Sequence, residues 1–162
     1  MEGIAENRDR YFLEMAIAEA AKGMEEGAGG PFGCVIVKDN KVLACAHNKV
    51  LSTNDPTAHA EVVAIREACS AMNDFQLTGC VVYASCEPCP MCMGAIYWAR
   101  PERVVYAASK KEAAEAGFDD SFIYEEIAVA YPDRTIPFVH LHHPAAETVF
   151  SNWVKKENKT LY

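Results

Sequence analysis

Short apolar runs of strand length alternate along this chain with longer segments of helical periodicity, and this alternation constrains the fold more than any other feature. Between residues 9 and 26, apolar side chains recur every three or four positions, which predicts an amphipathic helix. Residues 34–37 and 42–46 are apolar runs joined by a polar turn, and this pattern predicts an antiparallel hairpin. Strands that alternate with helices indicate a layered α/β domain, and the hairpin makes its sheet mixed.

The rest of the chain continues the same pattern. The further predicted strands are 80–84, 104–107 and 136–141, and the further predicted helices are 58–72, 90–99, 111–116, 122–130 and 145–157. The sheet should therefore contain about five strands. A chain of 162 residues suits a single domain, residues 1–162, which buries roughly two-thirds of its unfolded surface and needs no disulfides to fold.

Charge and cysteine usage exclude several functional classes. The formal net charge of −8 is a poor match for nucleic acid or an anionic membrane, and it favours a small, uncharged ligand. Neither a signal peptide nor an apolar run of 18 residues is recognisable, so we expect a cytoplasmic protein. Seven cysteines in a reducing compartment indicate buried thiols, metal ligands or a nucleophile rather than disulfides.

Two predicted helix starts carry side chains that bind metals. His59 and Glu61 open one helix, and Cys89 and Cys92 open another, each after a loop that follows a strand. Both helix N-termini could face one crevice at the carboxyl ends of the strands. Cys89 and Cys92 lie on one face of a helical turn, and with His59 they form a ligand set suited to Zn²⁺.

Three structural interpretations compete with a catalytic site. Cys86 could complete a closed four-ligand zinc site, since structural zinc has no open position. The spacing of Cys86, Cys89 and Cys92 also resembles iron–sulfur ligation, but the fourth cysteine of that pattern is replaced by Ile96. Buried thiols without a metal are the third interpretation. Glu61 favours catalysis, because a metal lowers the pKa of bound water toward about 7 and a nearby carboxylate can move its proton.

The pattern His-x-Glu followed by Pro-Cys-x-x-Cys is the signature of zinc-dependent nucleobase deaminases. On these residues, the sequence resembles the cytidine deaminase superfamily. Residues 30–33 (GPFG), 54–61 (NDPTAHAE) and 85–92 (SCEPCPMC) resemble its branch of guanine, cytosine and tRNA adenosine deaminases. Residues 94–101 (GAIYWARP) and 113–124 (AAEAGFDDSFIY) are similar to the bacterial guanine deaminases.

The resemblance implies a three-layer α/β/α fold around a mixed sheet and a role for individual residues. It implies that His59, Cys89 and Cys92 hold one zinc ion per subunit and that Glu61 transfers protons. The implied contacts of the base, with Asp120 also assisting catalysis, are Asn48, Phe32, Trp98, Asp120 and Tyr162. Without the resemblance, Asn48 suits a turn, Asp120 suits a helix N-cap, and the aromatic residues suit the core.

The implied reaction is hydrolysis of guanine to xanthine and ammonia. A related substrate remains the alternative: guanosine, cytosine, an ammeline-type aminotriazine or tRNA adenosine. A zinc-stabilised interaction module without turnover is the alternative from another class. The resemblance also implies a homodimer, in which the C-terminal tail, about residues 155–162, closes its own pocket or, by a domain swap, that of the partner subunit.

Overall fold

The computed structural model describes residues 2–162, which form two compact units, one ending at Asp120 and the other spanning Ser121–Tyr162. The first unit contains α1 (Glu2–Glu25), β1 (Gly33–Lys38), β2 (Lys41–His47), α2 (Val50–Thr53), α3 (Ala60–Met72), β3 (Cys80–Cys86), α4 (Pro90–Ala99), β4 (Arg103–Ala108) and α5 (Lys110–Glu115). The second contains α6 (Ser121–Ala128), a 3₁₀ turn (Tyr131–Asp133) and α7 (Pro144–Lys155).

The four strands form one mixed sheet in the order β2-β1-β3-β4. β1 pairs antiparallel with both β2 and β3, whereas β3 and β4 are parallel. Parallel neighbours need a crossover connection, which α4 supplies between β3 and β4. The mixed α/β sheet is therefore confirmed, and the predicted hairpin is its β1–β2 pair.

Alternating side chains of the strands bury both faces of the sheet. Ile36 and Val82 face a core that includes Ala64 of α3, whereas Val35 and Tyr83 face a core that includes Phe12 of α1. This alternation follows from the two-residue period of a strand. Ala99 of α4 joins the first core, so α1 covers one face and α3 and α4 the other. The three-layer arrangement is confirmed.

The predicted fifth strand is wrong. Among the residues described, 136–141 contain no strand, and the side chains of Ile136, Val139 and Leu141 are 72%, 86% and 84% exposed. Pro137 has no backbone N–H to donate to a neighbouring strand, which weakens any pairing of this segment. The apolar run resembled a strand, but it lies in the second unit and joins the 3₁₀ turn to α7.

No helix in residues 2–162 combines the length and the apolar composition needed to cross a membrane.

Candidate active site

Two helix N-termini position the candidate metal ligands. His59 is the N-cap of α3 and Cys89 is the N-cap of α4, and both have extended backbone conformations. An Asx turn precedes His59, in which Asp55 Oδ1 accepts a hydrogen bond of 2.8 Å from the Thr57 N–H. Pro90 at the first position of α4 fixes the backbone where that helix begins. The local sequence therefore specifies both helix starts.

The three donor atoms have the spacing of a tetrahedral zinc site. Cys89 Sγ and Cys92 Sγ each lie 3.5 Å from His59 Nδ1, and all three donors lie within 4.8 Å of one another. Tetrahedral bonds of about 2.0 Å to nitrogen and about 2.3 Å to sulfur would separate such donors by about 3.6 Å. The residues present therefore fit Zn²⁺, and His59 would bind through Nδ1.

Cys89 is prepared to act as a thiolate. Its pKa is lowered to about 4, mainly because Cys92 donates a hydrogen bond to it, with a further contribution from His59. Thiolates at helix N-termini are also stabilised by the helix dipole. Since metals bind the thiolate, this electrostatic environment favours coordination at Cys89.

Cys86 lies apart from this group. Its thiol is directed to the backbone carbonyl oxygen of Ser109 at 3.6 Å, and burial raises its pKa. It is not part of the described ligand group, so the closed four-ligand interpretation receives no support. Three protein ligands leave the fourth position of a tetrahedral ion open, which is the arrangement of catalytic zinc sites.

Glu61 is a buried carboxyl group in direct contact with the ligands. It lies in the first turn of α3, is only 7% exposed, and its Oε2 accepts a hydrogen bond of 3.4 Å from Cys92 Sγ. Burial raises the pKa of Glu61, because a low-dielectric environment disfavours the charged form. A raised carboxyl pKa beside an open metal position suits a group that accepts and returns a proton.

Asn48 and Phe32 lie next to each other in the same unit. The Asn48 N–H donates to the Phe32 carbonyl oxygen at 3.0 Å, and Asn48 Oδ1 accepts from the Val50 N–H at 3.1 Å. The following residue, Lys49, donates its N–H to Ala58, directly before His59. The residue after Asn48 is therefore linked by a backbone hydrogen bond to the loop that carries the first metal ligand.

The structure adds Phe118, which sequence reasoning missed. Its ring meets that of Phe32 edge to face, with centroids 5.0 Å apart, and a side chain at Gly30 would crowd both rings. Gly117 has a φ of +93°, and the N–H groups of Gly117 and Phe118 donate to carbonyl groups of α5. These bonds form a Schellman motif, which ends α5 and fixes the backbone position of Phe118. Gly117 is the residue in the sequence that could have indicated it.

Asp120 follows two residues later and is partly buried. Burial raises its pKa, and the negative charge of Cys89 contributes in the same direction, so Asp120 lies within electrostatic range of the metal ligands. Trp98 is 64% exposed on α4, and Tyr162 is 69% exposed in the second unit. The substrate contacts expected of these two aromatic residues stay predictions.

A His-Cys-Cys ligand set, an open metal position and a buried carboxylate on an α/β/α fold define a zinc-dependent hydrolase of the deaminase type. Residues 6–108 match the family model described as the cytidine and deoxycytidylate deaminase zinc-binding region. The chain belongs to this family, so the superfamily resemblance is confirmed.

Individual relatives narrow the comparison. The chain is 54% identical to a guanine deaminase of Bacillus subtilis (strain 168) over 151 residues, which cover 93% of this chain and 97% of that protein. It is 44% identical to a tRNA-specific adenosine deaminase of Aquifex aeolicus (strain VF5) over 102 residues, 63% of this chain and 67% of that one. An X-ray structure of guanine deaminase from Bacillus subtilis superposes with a TM-score of 0.92 at 53% identity, covering 94% and 98% of the two chains.

Proposed function

We propose that this protein hydrolyses guanine to xanthine and ammonia. The observation that carries the proposal is the buried Glu61 in contact with a three-donor zinc site, in a chain similar to a guanine deaminase over nearly its whole length. A small, uncharged base also suits the net charge of −8 better than a tRNA does, because RNA binding rewards clustered positive charge.

The proposed chemistry divides between the metal and the side chains. When bound by His59, Cys89 and Cys92, one zinc ion per subunit would acidify a water molecule and so supply the nucleophile. Glu61 accepts a proton from that water and delivers it to a ring nitrogen of the base, while the water oxygen bonds to the amino-bearing carbon and makes it tetrahedral. Glu61, assisted by Asp120, then moves the proton of the new hydroxyl group to the amino group. The C–N bond breaks, the carbonyl group of xanthine forms, and ammonia leaves. One water molecule is consumed for each ammonia released.

The remaining side chains hold the base. Asn48 Oδ1 is engaged by the Val50 N–H, so the group that the Asn48 side chain can offer to the base is its amide N–H donor. Phe32, supported by Phe118, provides an apolar surface for a flat ring, and Trp98 and Tyr162 complete the pocket. We propose that residues 1–162 act as one deaminase domain, whose tail at residues 155–162 closes the pocket, in the cytoplasm.

We further propose a homodimer, in which the C-terminal segment is exchanged between subunits. Within the second unit, several large apolar side chains are exposed, including Leu141 at 84% and Phe150 at 73%. On α4, Tyr97 is 77% exposed beside a cavity of about 580 Å³, whose walls include Met93 and Tyr106. Exposed apolar surface of this extent is typical of a protein interface.

A substrate panel tests the proposed reaction. Ammonia release is measured with guanine, guanosine, adenine, cytosine and ammeline, and the zinc content of the same sample is determined. Guanine should give the highest kcat/KM. A higher kcat/KM with another base would show that guanine is not the preferred substrate. Bound zinc with no ammonia from any base, or from a tRNA substrate, would indicate an interaction module.

Glu61→Gln tests the proton-transfer step. The amide has nearly the shape of the carboxylate but cannot accept the proton, so we expect zinc to be retained and kcat to fall by about 10²–10⁴-fold. Zinc content and ammonia release are measured on the same preparation, with Glu67→Gln on the same helix as the matched control. Near-wild-type turnover by Glu61→Gln would contradict the mechanism.

A further inference from the structure

A hydrogen-bonded pair of titratable side chains, the buried His47 and the partly buried Glu19, lies beside Asn48 and has no part in the proposed chemistry. His47 is the last residue of β2 and is 8% exposed. Its Nδ1 lies 2.7 Å from Glu19 Oε1 on α1, and the same carboxylate oxygen lies 3.7 Å from Lys22 Nζ. The imidazole is therefore held against α1 by a short hydrogen bond.

Helix α1 is shaped to receive this ring. Gly23 lies one helical turn after Glu19, and a Cβ atom at Gly23 would overlap the His47 ring. Glycine inside a helix costs about 1 kcal/mol relative to alanine, so its presence needs a compensating reason. The space that Gly23 leaves for His47 provides that reason.

The strand end that His47 anchors leads directly into Asn48. Asn48 is 5% exposed, its N–H is bonded to Phe32, and its Oδ1 is bonded to the Val50 N–H. A Cβ atom at Gly29 would also overlap Asn48 Oδ1. The side-chain oxygen is thus enclosed by backbone on two sides, and the orientation of the amide depends on where β2 ends.

We propose that Glu19 and His47 are positioning residues, which fix the end of β2 against α1 so that the Asn48 amide points its donor group at the base. This inference rests on the proposed function, in which Asn48 binds the substrate. The hydrogen bonds of Asn48 are directional, and their strength falls steeply as the donor angle departs from linearity. Releasing the end of β2 from α1 should therefore weaken substrate binding more than it slows the proton transfer at Glu61.

Kinetics of matched variants test the proposal. Glu19→Ala and His47→Phe remove the hydrogen bond, and the second keeps an aromatic ring in the space beside Gly23. Each should raise KM for guanine about three- to tenfold, with kcat within about twofold of the wild type and zinc content unchanged, which is the pattern expected for loss of uniform binding. Glu19→Gln can still accept the hydrogen bond and should restore KM to near its wild-type value.

Asp9→Ala is the control, because Asp9 lies on the same helix and its carboxylate pairs with Arg103, away from β2. It should lower the thermal midpoint without raising KM. The proposal would be overturned if KM rose in both Asp9→Ala and Glu19→Ala in proportion to the stability that each variant loses. An unchanged KM in folded His47→Phe would also overturn it.

A readout without substrate separates this proposal from the proposed function. The side-chain amide signals of Asn48, assigned in an NMR spectrum by their loss in Asn48→Asp, should shift in Glu19→Ala and His47→Phe and stay in place in Asp9→Ala. An enzyme that is inactive on guanine would refute the proposed substrate, while the NMR comparison would still decide the positioning role. Unshifted amide signals in both variants would refute that role.

Discussion

The environments of three cysteines differ, although their spacing in the sequence is regular: Cys86, Cys89 and Cys92. The difference arises because strand β3 ends at Cys86 and helix α4 begins after Cys89. Cys86 is the last residue of β3, and burial raises its pKa. Cys89 caps α4, where hydrogen bonds lower its pKa to about 4. The sequence predicts the two helical ligands from their spacing and their partner His59. It leaves the role of Cys86 open, because that role depends on where its side chain points.

Zinc retention tests this distinction. Cys86→Ser should keep its metal and lose about 1 kcal/mol of stability, because a hydroxyl replaces a thiol at a buried position. Cys89→Ser removes a ligand, so zinc affinity should fall by at least about 100-fold. Metal content after dialysis against a chelator compares the two variants directly. Equal loss of zinc from both would restore the four-ligand interpretation.

The helices and strands that the sequence predicts correctly are those with strong local signals. The helices at 60–72 and 90–99 begin at the predicted motifs, since an Asx turn and Pro90 specify their starts. The single-turn helix α2 was missed, because four residues show no helical period. The strand predicted at 136–141 failed because strand pairing is a long-range property that an apolar run does not determine.

The candidate site also combines parts that a local motif predicts with contacts between residues that are far apart in the sequence. Its metal ligands and Glu61 follow from one motif, whereas the Phe32–Phe118 contact joins positions 86 residues apart in the sequence. Local chemistry still positions Phe118: a capping box at Ser109 and Glu112 begins α5, and Gly117 ends it. What the sequence did not show was that the end of α5 lies beside Phe32.

A hydrogen-bonded cluster joins three other elements of the first unit. Arg103 of β4 donates two hydrogen bonds to Asp9 of α1, at 2.9 and 2.7 Å, and the Tyr83 hydroxyl of β3 donates to the same carboxylate at 2.8 Å. Burial, reinforced by the hydrogen bond to Asp9, raises the pKa of Tyr83 to about 12. The folded state therefore holds this proton more tightly than the unfolded chain, in which the pKa is about 10.

Tyr83→Phe tests the cluster through pH. At pH 7 the variant should lose about 1.5–3 kcal/mol of unfolding free energy, the value of a hydrogen bond to a charged group. The contribution of Tyr83 is fully present below pH 10 and is lost as the pH rises toward 12, so the gap between wild type and variant should narrow over that interval. Urea unfolding at several alkaline pH values measures the gap. A gap that stays constant up to pH 12 would contradict the assigned cause.

The second unit contains many large apolar side chains but buries little of their surface. The described side chains of α7 include Val149, Phe150 and Val154, each at least 66% exposed, although an amphipathic helix normally buries its apolar side. Arg134 stacks on the rings of Tyr131 and Phe138 and bonds carbonyl groups at the end of α6, which orders the unit locally. Local order with little buried apolar surface is consistent with the proposed contact between subunits.

Phe150→Glu should therefore dissociate the proposed dimer while each subunit stays folded. The ring is 73% exposed within one chain, so the charge costs little there, but burying it at an interface should weaken association by about 30-fold or more. Sedimentation velocity over a concentration series measures this, circular dichroism reports the fold, and Phe150→Leu is the apolar control. Turnover lost on dissociation would indicate that a tail closes the partner's pocket, whereas turnover retained by the monomer would indicate closure of its own. If Phe150→Glu dimerised as tightly as the wild type, this face of α7 would be excluded from the interface.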